Sequence, residues 1–169
     1  MHDALKRTFE EHKEEYLQHL KNLIACDTQV LGHGIAGGRE KAGQEYLEKL
    51  FEDMGVDKLI KDPMQETIIQ KCMEIYGEGN PGHNQEDRYN VYAEFCGKDR
   101  KRSLMFNGHI DTMPPGDESE WMSPPHEPVV REGRLYGLGS ADMKAGLMAG
   151  IMAVKLLKDA GMELPCDVR

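Results

Sequence analysis

The sequence predicts an α/β protein in which helices cover both faces of a mixed, mostly parallel sheet, giving three αβα layers. Three observations lead to this prediction. Two amphipathic helical segments open the chain, short apolar or alternating runs occupy its middle, and a long apolar helix lies near its end. With 169 residues the chain is large enough to bury a hydrophobic core without disulfide bonds.

The overall composition argues against two classes of function, nucleic-acid binding and membrane association. The formal net charge of -9 at pH 7 argues against a nucleic-acid-binding surface, which should be basic. The longest apolar run, residues 145–154, is too short to span a bilayer, so we expect no membrane partner. The start of the sequence has no apolar signal segment, and the four cysteines form no CxxC pair. We therefore expect free thiols and a cytoplasmic location.

The first half of the chain has three predicted helices. Residues 3–24 carry apolar side chains at three- and four-residue steps, which predicts an amphipathic helix. Residues 39–54 repeat this pattern, and Gly55 is suited to cap the helix at its C-terminal end. Pro63 can begin a third, shorter helix that extends to Ile75.

Three strands are predicted around the middle of the chain. Residues 56–61 have the character of an edge strand. Residues 88–96 alternate between apolar and polar side chains, and residues 103–107 contain a short apolar run typical of a buried strand. A charged turn separates the last two, so we expect them to be neighbours in the sheet.

The last third of the chain predicts a hairpin, a helix and a further strand. Residues 128–131 and 134–136 are separated by a Glu-Gly pair, as in a small hairpin. The last helix is predicted over residues 142–160, ended by Gly161. Residues 166–169 have the character of a final strand.

A glycine-rich loop raises one alternative function. Gly32, Gly34 and Gly37 match the G-x-G-x-x-G pattern of a dinucleotide-binding turn. That turn must follow a strand, because the pyrophosphate binds at a strand-to-helix junction. Here a long predicted helix precedes the loop, so we favour a simple glycine-rich connection. A nucleotide-binding domain that uses residues 32–37 stays the alternative.

The strongest chemical signal lies in the residues just after the apolar strand. Side chains two apart in extended chain point the same way, so the Asp111 carboxylate can reach one ring nitrogen of His109 and leave the other free for a metal. Asp142 is well placed to hold or bridge a cation, although an acidic residue at a helix start also favours the helix dipole. We expect Lys144 to lie on the surface at the start of this helix.

These residues belong to two motifs, NGHIDTMPPGD at residues 107–117 and GRLYGLGSADMKAGLMA at residues 133–149, with Trp121 between them. The motifs resemble the M20 family of metallopeptidases and deacylases, which includes acetylornithine deacetylase, succinyl-diaminopimelate desuccinylase and the glutamate carboxypeptidases. Two departures bear on substrate preference. Residues 123–126 stand where the family usually has an acidic residue, Pro and Phe, and Leu138 stands where Arg is common.

The resemblance implies metal-dependent hydrolysis of an amide bond in an N-acyl amino acid or small peptide. It implies two zinc ions per complete site, with cobalt as an alternative metal. His109 and Asp142 would be metal ligands, with Asp142 bridging the ions, and Asp111 would be the catalytic residue that supports His109. It also implies a cis peptide bond between Asp142 and Met143.

The resemblance further implies that residues 1–169 are the N-terminal part of an incomplete catalytic domain. The general-base glutamate, the remaining ligands and the dimerisation domain would follow Arg169. We therefore expect this chain alone to bind metal weakly and to be inactive, and the full-length parent to be a homodimer. A non-catalytic interaction fragment stays a further alternative.

Overall fold

The computed structural model describes residues 2–30, 38–77, 85 and 87–169. The glycine-rich loop at residues 32–37, on which the nucleotide-binding alternative depends, lies outside these residues. Within the described part, the helices are α1 His2–Ala25, α2 Lys41–Asp53, α3 Glu66–Tyr76 and α4 Ala145–Asp159. The strands are β1 Lys58–Pro63, β2 Tyr89–Glu94, β3 Asp99–Leu104, β4 Val129–Arg131, β5 Arg134–Tyr136 and β6 Cys166–Val168.

The main strands form a mixed arrangement with β6 at its centre. β1 pairs antiparallel with β2, and β3 pairs parallel with β6. Phe95, directly after β2, exchanges two backbone hydrogen bonds of 2.9 Å with Val168 of β6. β6 therefore lies between β2 and β3. The α/β class with a mixed sheet is confirmed.

The predicted pairing of residues 88–96 with residues 103–107 is wrong. β3 begins earlier, at Asp99 in the charged segment, and its partner is β6. The Asp167 carboxylate of β6 accepts a hydrogen bond from the Gly97 amide at 2.9 Å and lies 2.8 Å from Arg100 Nε. Almost every β3 side chain is exposed. An exposed strand can be rich in charged residues, and for this reason its sequence resembles that of a charged turn.

The hydrophobic core joins the helices to the sheet. α1 packs against α4 and α2, whereas α3 has no buried residue. Met148 and Met152 are buried in this core, as the apolar pattern of the last helix predicted. The buried cluster consists of Tyr16, Leu23, Leu47, Leu50, Met54, Phe95, Ile110, Met148, Ile151, Met152, Val154, Leu164 and Val168.

The predicted hairpin is confirmed. β4 and β5 are antiparallel, with Val129 opposite Tyr136. The two turn residues, Glu132 and Gly133, have φ angles of 51° and 74°, as expected when a two-residue connection joins twisted strands. None of the helices in the described residues combines the length and hydropathy needed to cross a membrane.

Candidate metal site

The first half of the candidate site lies in the extended segment that follows β3. His109 Nδ1 lies 3.1 Å from Asp111 Oδ1 and 3.1 Å from the Asp111 main-chain oxygen. An Nδ1–H that donates to Asp111 fixes the ring tautomer and leaves the Nε2 lone pair available to a cation. The structure thus brings these two side chains together in the expected way.

The second half of the site lies in a kinked turn, Ser140–Lys144, rather than in a helix. The prediction that the last helix begins at Asp142 is wrong, because Asp142 and Met143 have non-helical backbone angles and α4 begins at Ala145. The peptide bond between Asp142 and Met143 is cis, as the resemblance implied.

The two halves meet at His109 and Asp142. His109 Nε2 lies 3.1 Å from Asp142 Oδ1, and their side chains are 46% and 89% exposed. Two ligands that bind one tetrahedral zinc at 2.0–2.1 Å are about 3.3 Å apart, so this spacing fits a shared ion. An imidazole nitrogen and a carboxylate oxygen are also suitable donors for zinc.

This pair is only part of a metal site. In the part of the chain that the structure describes, no group of three or more His, Cys, Asp or Glu side chains is arranged to hold a metal ion. A closed zinc site has four ligands, and an open catalytic one has three protein ligands. Two ligands alone therefore predict weak binding.

Contacts with Asp111 and Asp142 raise the pKa of His109 above its ordinary value, against the effect of burial. Partial burial by itself lowers this pKa. The hydrogen bond to the Asp111 main chain and the negative charges of Asp111 and Asp142 outweigh that effect. A metal at Nε2 therefore competes with a proton that is held more tightly than on a free imidazole.

Gly139 allows the kinked turn to lie close to the segment that carries His109. Its φ angle of 73° is one that glycine adopts without strain. A Cβ at this position would lie 2.4 Å from Thr112 Cγ2, well inside van der Waals contact. Glycine at position 139 is therefore required both by the backbone angle and by the close approach of Thr112.

The prediction that Lys144 lies on the surface is wrong. Its side chain is fully buried, and Nζ donates to the main-chain oxygens of Leu23 at 3.0 Å and Cys26 at 3.1 Å. Burial lowers the pKa of Lys144 to about 8. The one available sequence signal was that this lysine directly precedes the most apolar stretch of the chain, residues 145–154.

Trp121 and His126, which lie between the two motifs in the sequence, both contact other parts of the chain. Trp121 Nε1 donates to the main-chain oxygen of Pro115 at 2.9 Å, which is consistent with a packing role. His126, one of the departures from the family pattern, lies 3.1 Å from Gln29 Nε2 and 3.6 Å from Asp27 Oδ1 through its Nε2 atom. Its side chain therefore contacts the segment that follows α1.

His109 and Asp111 also line a cavity of about 710 Å³. Its apolar wall includes Ile151 of α4, and its polar wall includes the buried ion pair between Glu40 and Arg88. His109 and its partner Asp111 therefore lie at the edge of a cleft.

Comparisons with known proteins found a matching family, a related sequence and similar folds. Residues 105–169, which contain His109 and Asp142, match the family described as Peptidase family M20/M25/M40. A deformylase of Bacillus subtilis, N-formyl-4-amino-5-aminomethyl-2-methylpyrimidine deformylase, is 30% identical over 165 residues, covering 98% of this chain and 33% of the relative.

Solved structures share the fold. Human carnosine dipeptidase 1 superposes with a TM-score of 0.73 at 19% identity, covering 99% of this chain and 33% of that one. The dipeptidase Dug1p from Saccharomyces cerevisiae has a TM-score of 0.73 at 16% identity, covering 98% of this chain and 33% of that one.

A third structure is closer in sequence. The M20 family metallo-carboxypeptidase Sso-CP2 from Sulfolobus solfataricus has a TM-score of 0.65 at 26% identity, covering 91% of this chain and 29% of that one. The chain spans about a third of the length of these relatives. Residues 105–169 therefore match the M20 family, and the chain shares its fold with these solved structures.

Proposed function

We propose that this protein acts in the metal-dependent hydrolysis of an amide bond in an N-acyl amino acid or small peptide. The observation that carries the proposal is the 3.1 Å approach of His109 Nε2 to Asp142 Oδ1, with His109 Nδ1 held by Asp111. The names of the relatives support it, since a deformylase, two dipeptidases and a carboxypeptidase all break amide bonds.

Each residue of the proposed site has a separate role. His109 offers Nε2 as a ligand, and Asp111 keeps the Nδ1 proton so that the ring presents the correct tautomer. The highly exposed Asp142 carboxylate has a second oxygen that can reach a second ion. A zinc or cobalt ion, when bound, would polarise the amide carbonyl and lower the pKa of a water molecule to about 7.

We also propose that this chain alone is inactive and binds metal weakly. Its two candidate ligands leave a zinc ion short of the three or four protein ligands that stable sites provide. Neither His109 nor Asp142 is free to act as general base once it binds metal. The family's general-base glutamate and remaining ligands would supply what His109 and Asp142 cannot.

Two broader proposals concern the whole protein. The four cysteines, Cys26, Cys72, Cys96 and Cys166, are all free, which supports a reducing compartment such as the cytoplasm. The family resemblance supports a homodimer.

Long-range ¹H–¹⁵N NMR of the histidine side chains tests the proposed ligand set. On zinc addition we expect the resonance of His109 Nε2 to shift toward the value of a metal-bound nitrogen, while Nδ1 stays protonated. His126, which has the same side-chain chemistry but contacts Gln29 and Asp27, serves as the internal control. Zinc-induced shifts at His126 with none at His109 would contradict the proposal.

A hydrolysis assay tests the proposed inactivity. We expect no product when the chain with zinc or cobalt is incubated with N-formyl amino acids, N-acetyl amino acids or dipeptides. Turnover of any of these substrates would overturn the proposal of an inactive chain, and its substrate dependence would identify the preferred acyl group.

A further inference from the structure

The kinked turn that carries Asp142 is tied to the C-terminal end of α1 by Lys144. The Lys144 ammonium donates to the main-chain oxygens of Leu23 at 3.0 Å and Cys26 at 3.1 Å. Leu23 lies in the last turn of the helix, whose carbonyls have no partner within it, and Cys26 directly follows the helix. A buried ammonium is costly unless it is hydrogen-bonded, so the side chain has a strong reason to keep this position.

The same stretch of chain also holds the other half of the site. The Thr112 amide donates to the Thr28 main-chain oxygen at 3.1 Å, and the Val30 amide donates to the Thr112 main-chain oxygen at 2.9 Å. Thr28 Oγ1 donates to the Ile110 main-chain oxygen at 2.6 Å. Residues 23–30, which we call the brace, therefore contact both segments that carry the candidate ligands.

The contacts of the brace are close to the ligands in sequence. Ile110 directly follows His109, and Lys144 is two residues after Asp142. A displacement of either segment from the brace would change the separation of the His109 and Asp142 side chains. On the Asp142 side, the described side-chain hydrogen bonds to the brace are those of Lys144.

We propose that Lys144 is a positioning residue, which holds Asp142 at the distance from His109 that a shared metal ion requires. This inference rests on the proposed metal site. Lys144 acts through its hydrogen bonds to the brace and does not itself contact metal or substrate. A lysine at a helix C-terminus also stabilises the helix, so the test must separate positioning from stability.

The variant Lys144→Met removes the ammonium and keeps an unbranched, apolar side chain of similar length. Lys158→Met is the matched control, because Lys158 lies on α4 and also donates to a main-chain oxygen, that of Gly55 at 3.2 Å. We expect at least a tenfold loss of zinc affinity in Lys144→Met by calorimetry and no loss in Lys158→Met. Urea unfolding of both variants measures stability separately.

A metal-free crystal structure of Lys144→Met provides a second readout that a purely stabilising role would not change. We expect α1 and α4 to be retained while the 3.1 Å contact between His109 Nε2 and Asp142 Oδ1 is lost. If Lys144→Met does not fold, Lys144→Gln, which keeps a donor but has a shorter reach, takes its place with the same expected changes.

The outcomes separate this inference from the proposed function. Wild-type chain that binds zinc, with His109→Ala defective and Lys144→Met equal to wild type within twofold, would overturn the positioning role alone. If wild-type chain binds no zinc, the metal site fails for this chain and the crystal structure decides the positioning role. Retention of the 3.1 Å contact in that structure would overturn it.

Discussion

The substitution Asp111→Asn tests how the histidine ligand is supported. Two oxygens of Asp111, Oδ1 and the main-chain oxygen, each lie 3.1 Å from His109 Nδ1. Loss of the partner behind a metal-binding histidine typically weakens metal binding by about 10- to 100-fold. Since the main-chain oxygen remains in the variant, we expect the lower end, about tenfold or about 1.4 kcal/mol at 25 °C.

Zinc calorimetry at constant pH measures this effect. Asp117→Asn is the matched control, since it makes the same chemical change six residues away, where the carboxylate accepts from the Ser119 amide at 2.9 Å. We expect zinc affinity to fall in Asp111→Asn and to stay unchanged in Asp117→Asn. Equal affinity in Asp111→Asn and wild type would refute the reasoning that the carboxylate supports the ligand.

Two further predictions concern the turn and the pH dependence. Gly139→Ala should destabilise the chain by about 1–2 kcal/mol because of the left-handed backbone alone. The clash of the new Cβ with Thr112 Cγ2, 2.4 Å away, should increase this loss. An unchanged midpoint of urea unfolding would contradict the prediction. Because the pKa of His109 is raised above 6.5, zinc affinity should fall as the pH drops through that raised value and level off above it. The stability that the protein gains from protonated His109 beside Asp111 and Asp142 depends on pH in the opposite direction. It is fully present below pH 6.5 and is lost as the pH rises through the raised pKa. Calorimetry and urea unfolding across this pH range, beside His109→Ala, measure both effects, and pH-independent zinc binding would exclude His109 as a ligand.

The parts of the site that the sequence predicted depend on local geometry. His109 and Asp111 are two residues apart in extended chain, so their contact follows from the backbone repeat alone. The hairpin was predicted in the same way, from a turn pair between two short strands. The cis peptide before Met143 was expected only from the family resemblance, because composition and periodicity carry no information about it.

The parts that the sequence did not predict depend on distant residues. The buried Lys144 donates to Leu23 and Cys26, which lie 121 and 118 residues earlier in the chain. A pattern local to residue 144 carries no information about these acceptors. β3 was missed because its exposed, charged side chains carry no alternating pattern, and its pairing is set by Asp167 and its neighbours on β6. A single sequence cannot reveal such partners when the pairing residues are polar.

Zinc titration by calorimetry on the chain, beside His109→Ala and Asp142→Ala, tests the central claim most directly. His126→Ala is the control for loss of a histidine elsewhere. We expect weak binding to the wild-type chain and to His126→Ala, and loss of that binding in both ligand variants. Zinc binding that is unchanged in His109→Ala and Asp142→Ala would contradict the assignment of these two residues as metal ligands.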